Sequence, residues 1–337
     1  MKAAIVTQYN KNDLTLKMTT VDKPQITADQ VLLKVSAAGV NPLDNMITRG
    51  EVKLIVPYKL PVIGGNEVVG KIEAVGANVT QFSVGERVFS RLPLDSIGAF
   101  AQYVAVDANA IAKVPPYLSD VQAAAIPLTA LTVMQAFELM QVKKGNTIFI
   151  SGGTGGVGAM AITLAKAKGL KVITNGSVEN KERVLALGAD RFIDYKTEDY
   201  TQTVANVDYV LDTLGGQKTE KQMTIMKKGG QLVSLKGIPN GAFAKRMGFT
   251  GLKRLLFSFA GRKFDKMAQK YGVTYNFIFV QANGAQLTEV AKLFTKLELK
   301  PSLDTVYAFS DVNAALDKVA NGRSRGKTVL DLQQGEK

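Results

Sequence analysis

The sequence contains no cysteine and no histidine among its 337 residues. These absences exclude disulfides, thiolate nucleophiles, Ser-His-Asp triads and zinc sites built on thiolate or imidazole ligands. The side chain that most often shuttles protons near neutral pH is also missing. Any chemistry must therefore come from a bound cofactor, from carboxylates, tyrosines or lysines, or from solvent.

Targeting segments are equally scarce. Residues 1–10 carry one lysine and only a short apolar stretch, too little for the core of a signal peptide. No uninterrupted apolar run approaches the roughly 18 to 20 residues that a membrane span needs. These observations predict a cytoplasmic protein.

Basic residues outnumber acidic ones, 42 to 29, and the net charge is +13. Such an excess favours polyanionic partners, which include nucleic acid, an anionic membrane face and a phosphorylated cofactor. A generally basic surface on a soluble protein explains the same excess equally well. Charge alone leaves these alternatives open.

The pattern of the chain changes near residue 120. Before it, short alternating segments separated by Gly, Pro and Asn indicate an antiparallel barrel or sandwich. After it, strands alternate with helices in a way typical of parallel βαβ units. The tail, 286–332, is expected to return to the first domain. The sequence thus predicts an α/β protein, with a mostly-β domain over 1–122 and 284–337 and a doubly wound parallel sheet over 123–283.

A glycine-rich loop, SGGTGGVG, joins the predicted strand 147–150 to a predicted helix. Gly153, Gly155 and Gly158 satisfy the G-x-G-x-x-G spacing in the strand–loop–helix context that the motif requires. Glycines let the backbone approach a pyrophosphate, and the helix N-terminus supplies oriented N–H groups. The motif predicts a dinucleotide site, and the alternative is a turn that holds no ligand.

The end of the next predicted strand distinguishes NAD from NADP. NAD-specific sites place an acid there to bind the ribose hydroxyls, whereas this strand ends in VITNG (172–176). Ser177, Lys181 and Arg183 follow, and a hydroxyl with cations suits a 2′-phosphate. The prediction is NADPH, and the alternative is that both cations are ordinary exposed helix residues.

Six segments of the chain carry a family resemblance: AAGVNPLDNMITRG, GGNEVVGKIEAVGANVTQFSVGERV, AAAIPLTALTVMQAFE, SGGTGGVG, LGADRFIDYKTEDY and GRSRGKTVL. In their order and spacing they resemble the zinc-free quinone and enone reductase branch of the medium-chain dehydrogenase/reductase superfamily, over nearly the whole chain. The resemblance implies a GroES-like domain beside a Rossmann domain, and a homodimer. It also implies NADPH-dependent hydride transfer to a quinone or an α,β-unsaturated carbonyl.

Two departures from the zinc-dependent members of that superfamily sharpen this expectation. Where they carry a cysteine after the second strand and a Gly-His-Glu motif, this chain reads GVN (39–41) and GNE (65–67). Their cysteine-rich structural zinc lobe is missing as well. Metal-assisted alcohol dehydrogenation is therefore not expected, and direct hydride delivery remains.

The resemblance also implies contacts of individual residues. Asn41 would face the nicotinamide, although its alternative role is to stabilise the turn before Pro42. Tyr195 would lie at the 2′-phosphate, although as a strand residue it could equally direct its hydroxyl to solvent. The full implied set is Asn41, Thr132, Phe277 and Phe279 at the nicotinamide, Gly155, Gly156 and Val157 at the pyrophosphate, and Ser177, Lys181, Tyr195 and Arg325 at the 2′-phosphate.

Hydride transfer to a conjugated carbonyl leaves negative charge on an oxygen atom, which a nearby donor stabilises. Asn41 and Tyr58 are the protein candidates, beside a ribose hydroxyl of the cofactor and solvent, and the sequence does not choose among them. Relatives commonly carry tyrosine or lysine two residues after the NPxD aspartate, where this chain has Met46. That difference indicates a more apolar acceptor pocket.

A basic stretch over 241–272, interleaved with leucine and phenylalanine, is unlike the rest of the chain. It is typical of a helix on an anionic membrane, but also of a lid, a dimer contact, or a packed helix pair with a solvated basic face. Nucleic-acid binding is a weaker alternative because no recognition motif is present. An enoyl-thioester reductase and a membrane-associated scaffold that keeps the cofactor fold without turnover are the other functions consistent with the sequence.

Overall fold

The computed structural model describes residues 1–322 and 325–334. The chain divides into two compact units, the first made of Met1–Leu131 with the chain from Gln281 onward, and the second of Thr132–Val280. The first is mostly β and the second is built on a parallel sheet with helices, which confirms the predicted α/β class.

Strands and helices follow one another along the chain in a clear order. The strands are β1 (Lys2–Val6), β2 (Lys17–Thr20), β3 (Gln30–Val40), β4 (Val62–Ile63), β5 (Glu67–Val75), β6 (Arg87–Arg91), β7 (Tyr103–Asp107), β8 (Ile111–Lys113), β9 (Thr147–Ile150), β10 (Lys171–Gly176), β11 (Arg191–Asp194), β12 (Val207–Asp212), β13 (Met226–Ser234), β14 (Thr274–Phe277), β15 (Leu303–Ala308) and β16 (Lys327–Asp331). The α-helices are α1 (Pro42–Thr48), α2 (Asp120–Ala123), α3 (Pro127–Met140), α4 (Gly156–Ala167), α5 (Lys181–Ala186), α6 (Tyr200–Thr203), α7 (Gln217–Met223), α8 (Gly241–Arg246), α9 (Gly251–Tyr271), α10 (Gly284–Leu297) and α11 (Val312–Ala320).

The main sheet of the first unit has the strand order β15-β16-β3-β5-β6-β8, with β7 also paired to β3. Alternate residues of its strands, such as Leu33 and Ile72, are buried in one apolar core. β16 pairs antiparallel with β3, so the tail of the chain contributes a strand to this sheet. Because Glu67 is the register partner of Arg91, and Val40 that of Thr328, the ends of four strands meet at one edge of the sheet.

The second unit contains a six-stranded parallel sheet with the order β11-β10-β9-β12-β13-β14. Counted from its own first strand this is the order 3-2-1-4-5-6 of a Rossmann fold. Its central strand β12 is buried along its whole length, as expected for a sheet covered on both faces. The carboxyl ends of β9 and β10 therefore lie at the edge where dinucleotides bind in such folds.

Pro127 is the first residue of α3 and separates it from α2, because proline lacks the N–H that a continuous helix would need. By length and composition alone, Asp120–Met140 is apolar enough to cross a membrane, although polar residues interrupt its apolar sequence. Of its apolar 18-residue window 83% is buried inside the structure, as in the core helix of a globular protein.

Candidate cofactor site and buried polar cluster

A group of polar side chains, here called the buried polar cluster, occupies the edge of the first unit where β3, β5, β6 and β16 end. Glu67 is fully buried, and its carboxylate forms an ion pair with the Lys327 ammonium, which is itself only 5% exposed. The second carboxylate oxygen accepts a hydrogen bond from the Leu128 N–H in the first turn of α3, at 2.7 Å. Both carboxylate oxygens of this buried side chain are thus paired with donors of the protein itself.

Asn41 joins this ion pair to the start of α1. Its Nδ2 donates to Glu67 Oε2 at 3.1 Å and to the Gly39 carbonyl at 3.2 Å, and its Oδ1 accepts from Lys327. Its backbone N–H donates to Asp44 Oδ2 at 2.7 Å, which caps the helix. Both amide hydrogens of Asn41 are therefore engaged within the protein.

Asp44 is the second buried carboxylate of the cluster. Its Oδ1 accepts a hydrogen bond from Asn66 Nδ2 at 2.7 Å. Burial raises the pKa of Asp44 to about 6, although the bonds from Asn66 and Asn41 and the charge of Lys327 act in the opposite direction. Desolvation thus outweighs the polar contacts, and this carboxyl titrates close to neutral pH.

Arg91 and Tyr58 complete the cluster. The Arg91 side chain is fully buried and donates from Nη1 to the Leu92 carbonyl, while its Nε and Nη2 have no hydrogen-bond partner among the described residues. Burial lowers the pKa of Arg91 to about 10 against the opposing charges of Tyr58, Asp44 and Glu67. Burial raises the pKa of Tyr58 to about 12 against the opposing charge of Arg91. The Tyr58 hydroxyl is buried and likewise unpartnered within the described chain.

These contacts separate the two candidate donors that the sequence leaves equal. Asn41 uses its amide to orient Glu67 and Lys327, whereas the neutral Tyr58 phenol beside a guanidinium has a free O–H group. A buried polar group without a partner is costly, and such groups occur where a ligand or water completes the bonding. Tyr58 therefore has the donor capacity that Asn41 lacks.

The donor set of the cluster does not fit zinc. Asn66 and the GVN segment stand where zinc-dependent relatives carry their ligands, and the carboxylates of Asp44 and Glu67 already accept bonds from amides and from Lys327. In the described part of the chain no group of three potential ligands is placed to hold a metal ion.

The glycine-rich loop lies between β9 and α4 in the second unit. Gly155 is the N-cap of α4 and no side chain caps the first turn, so its N–H groups point outward unpaired by a cap. A Cβ on Gly153 would lie 2.1 Å from Thr174 Oγ1, and one on Gly158 would lie 2.3 Å from the Gly152 carbonyl oxygen. At Gly155 the nearest such atom is 3.8 Å away. Two glycines are thus required for packing, while at Gly155 a Cβ would make only an ordinary contact. A glycine-rich loop that leads into the uncapped first turn of a helix fits a pyrophosphate.

The predicted 2′-phosphate residues meet at the ends of β10 and β11. Ser177 follows β10 directly, Lys181 is the exposed first residue of α5, and Tyr195, 56% exposed, donates its N–H to the Gly176 carbonyl at 3.2 Å. Arg183 instead donates from Nη2 to the Thr154 carbonyl at 2.7 Å. Arg183 therefore binds the glycine-rich loop, whereas Ser177, Lys181 and Tyr195 remain the residues predicted to contact a 2′-phosphate.

Glu179 lies among these residues and was missed by the sequence reasoning. Its carboxylate is hydrogen-bonded by Ser177, and the Lys196 ammonium lies 3.2 Å away. Hydrogen bonds, first from Ser177, then from its own backbone N–H and from Lys196, lower the pKa of Glu179 to about 2. The acid is absent from the end of the strand but present two residues beyond Ser177, in a 3₁₀ turn. A search for an acid only at the end of the second strand therefore misses Glu179.

The remaining implied contacts are spread over both units. Thr132 is a buried residue of α3. Phe277 is 7% exposed and meets the Phe243 ring edge-on, with centroids 5.1 Å apart, so its side chain belongs to an aromatic core. Phe279 is half-buried beyond the end of β14. Arg325 is exposed just before β16, and its carbonyl accepts a bond from Ser302.

Within the polar cluster, sequence reasoning found Asn41 and Tyr58 but missed Asp44, Glu67, Arg91 and Lys327 as a group. One signal was available: a lysine as the first residue of an apolar strand, and an acid as the first residue of another, are unusual at positions that a sheet buries. No pattern within either segment of the sequence indicates that Lys327 and Glu67 are neighbours in the fold.

Comparison with known proteins gives matches to two family models, the alcohol dehydrogenase GroES-like domain over residues 27–116 and the zinc-binding dehydrogenase domain over residues 187–330. The zebrafish (Danio rerio) mitochondrial NAD(P)H oxidoreductase RTN4IP1 is 30% identical over 100% of this chain and 92% of its own. The 2-methylene-furan-3-one reductase of Solanum lycopersicum is 30% identical over 98% of this chain and 79% of its own. The structure of the quinone oxidoreductase from Coxiella burnetii superimposes with a TM-score of 0.84 and 28% identity, covering 98% of this chain and 99% of that one.

Proposed function

Since the chain belongs to the zinc-free quinone and enone oxidoreductase branch of the medium-chain dehydrogenase/reductase superfamily, we propose that it transfers a hydride from NADPH to a quinone or an α,β-unsaturated carbonyl. The observation that carries the cofactor part is the glycine-rich loop, which joins β9 to the first turn of α4, where no side chain caps the helix. When bound, the nicotinamide supplies the hydride. The acceptor class is supported by relatives described as a furanone reductase and a quinone oxidoreductase.

The preference for NADPH rests on Ser177, Lys181 and Tyr195, which gather at the ends of β10 and β11. A hydroxyl and an ammonium form charge-assisted bonds to a 2′-phosphate. Glu179 opposes this preference by its charge, but its carboxylate is paired with Lys196, which reduces the repulsion. The balance of these side chains sets the ratio of NADPH to NADH affinity.

For the acceptor, we propose that Tyr58 stabilises the oxygen on which negative charge develops. Its phenol stays neutral across the physiological range, so its O–H group is available as a donor. The unpaired Nε and Nη2 of Arg91 add positive potential beside it. Asn41 acts differently, because its amide holds Glu67 and Lys327 in place.

The first experiment follows the absorbance of the reduced nicotinamide with a panel of quinones, enones and simple aldehydes. NADPH-preferring turnover of the conjugated acceptors, unaffected by chelators, is the expected result. Turnover of simple alcohols or aldehydes alone, or loss of activity with chelators, would contradict the proposal. Binding of NADPH without turnover on the panel would direct the search to enoyl thioesters.

Variants of two residues test the separate assignments. Lys181→Glu should weaken NADPH binding at least tenfold and leave NADH binding nearly unchanged, whereas Lys168→Glu, an exposed control at the far end of α4, should change neither. Tyr58→Phe should lower kcat for the acceptor while the dissociation constant of NADPH is retained. An equal loss of both nucleotides in Lys181→Glu would reject the 2′-phosphate assignment without touching the hydride-transfer proposal.

A further inference from the structure

The helix α9 has two apolar faces, and only one of them is packed. Phe257, Gly261, Phe264 and Ala268, spaced at three and four residues, form the buried face. Phe257 meets the rings of Phe243 and Phe249, and Phe264 stacks on Tyr275 at 5.0 Å. This inner face accounts for the anchoring of α9 on its own unit.

The opposite face carries large apolar side chains that contribute nothing to that anchoring. Leu252, Leu255, Leu256 and Phe259 are 73%, 66%, 56% and 78% exposed. Their spacing of three and four residues places them on one side of the helix, about half a turn away from the buried face. A packed helix pair with a solvated basic surface does not require four such residues in water.

Basic residues continue the same outer face along the next turns of the helix. Arg262, Lys263 and Lys266 are exposed, and none of them forms an ion pair with another described residue. Lys270, at the end of the helix, approaches Glu220 only at 4.0 Å. Along α9 six cations stand against the single carboxylate of Asp265. The outer face is thus apolar in its first half and cationic in its second half.

We propose that the outer face of α9 docks on the surface of an anionic lipid bilayer, with the first half inserted among the acyl chains near the headgroups and the second half bound to lipid phosphates. Interfacial helices combine these two features, and their cations attract anionic headgroups while the apolar side chains leave water. The helix, about 30 Å long, lies along the membrane rather than across it.

Two other occupants fit the face less well. A second copy of the chain would bring two strongly cationic helices together, and like charges in contact oppose association. Nucleic acid would satisfy the cations, but phosphates and bases gain little from leucines at Leu252, Leu255 and Leu256. An anionic bilayer complements both halves of the face.

The test measures co-sedimentation of the full-length protein with vesicles of phosphatidylcholine alone and of phosphatidylcholine mixed with phosphatidylglycerol. Leu255→Ser/Phe259→Ser removes apolar contacts, and Lys263→Glu/Lys266→Glu reverses charge. Leu54→Ser/Val84→Ser, at positions 65% and 62% exposed in the other unit, is the apolar control. Lys11→Glu/Lys300→Glu is the charge control, at exposed positions with no ion pair among the described residues. Thermal unfolding of each variant confirms folding, since all the substituted side chains are exposed.

The wild type should bind the anionic vesicles, bind neutral vesicles much more weakly, and lose binding as salt is raised. Each α9 variant should reduce the partition coefficient at least tenfold, and each control should leave it within twofold of the wild type. NADPH oxidation in solution should be the same in all five proteins, because α9's outer face is not part of the cofactor site. Equal vesicle binding by all proteins, or no binding by the wild type, would overturn the proposal. So would RNA retention lost only in the charge variant, or a dimer dissociated by Leu255→Ser/Phe259→Ser in the absence of vesicles.

Discussion

The two sheet edges that carry the polar groups of this protein are built on opposite plans. At the edge of the parallel sheet, the glycine-rich loop leads into the first turn of α4, whose backbone N–H groups have no side-chain cap. At the edge of the antiparallel sheet, Glu67, Lys327 and Arg91 bring full charges from separate strands into a site closed to water. The first edge is suited to a large anionic ligand, and the second to fixing a few polar groups in one arrangement.

The largest effect is expected when one charge is removed from the buried polar cluster at the edge of the antiparallel sheet. Lys327→Met should lower the free energy of unfolding by about 3 to 5 kcal/mol, because it leaves the Glu67 carboxylate buried without its counter-ion. Adding Glu67→Gln should restore much of that loss, since no uncompensated charge remains. Urea unfolding of the single and double variants measures the coupling.

A surface ion pair provides the control for that cycle. Lys166 lies 2.8 Å from Asp190, with the two side chains 35% and 47% exposed. Lys166→Met should cost at most about 1 kcal/mol. If Lys327→Met costs no more than this, the buried pair does not stabilise the edge in the way described.

The titration of Asp44 in the buried polar cluster is expected to have the next largest effect on the free energy of unfolding. Its pKa of about 6 in the folded protein lies above the ordinary value of 3.8, so folding favours the protonated form. Its stabilising contribution is complete below about pH 4 and is lost as the pH rises to about 6, a change of about 2 to 3 kcal/mol. Unfolding free energies measured from pH 4 to 7 should fall more in the wild type than in Asp44→Asn. Parallel curves for the two proteins would show that this carboxyl ionises normally.

In the glycine-rich loop, alanine substitutions should distinguish a glycine needed for packing from a glycine needed for NADPH binding. Gly158→Ala should lower stability by about 2 kcal/mol, because its Cβ would meet backbone atoms of Gly152 and Gly153 that have no freedom to move. Gly155→Ala should leave stability unchanged and weaken NADPH binding, because its methyl group would enter the space in front of α4. Thermal unfolding without nucleotide and nucleotide titration distinguish the two. NADPH binding by Gly155→Ala at wild-type strength would place the pyrophosphate elsewhere.

The smallest expected effect concerns Glu179. Glu179→Gln should raise NADPH affinity a few-fold relative to NADH, since a negative charge next to Ser177 is removed. Glu182→Gln, on the exposed surface of α5, should leave the ratio unchanged. If Glu179→Gln instead weakens NADH binding, the carboxylate accepts bonds from the ribose hydroxyls and the cofactor preference is the reverse of the one proposed.

The fold was predictable because its signals are local. Gly153, Gly155 and Gly158 follow a strand and open a helix within one short segment, and Pro127 divides two helices by its own chemistry. The Lys327–Glu67 ion pair has no local signal, because its members are joined only through strand pairing that the sequence does not state. Helix α9 lies between these cases, since both its apolar stripes are visible as periodicities. Which stripe packs depends on the partner rings of neighbouring elements.

The buried charges also have a consequence for how the first sheet is assembled. β16 reaches its place beside β3 across a separation of 286 residues between Lys327 and Asn41. A slip of one residue in an antiparallel pair turns every side chain to the other face of the sheet. Apolar residues on two buried faces would tolerate such an error, but a displaced Lys327 or Arg91 would leave an ionised group in the core with nothing to bind. The polar cluster therefore selects one alignment for the most distant strand of the sheet, independently of any ligand.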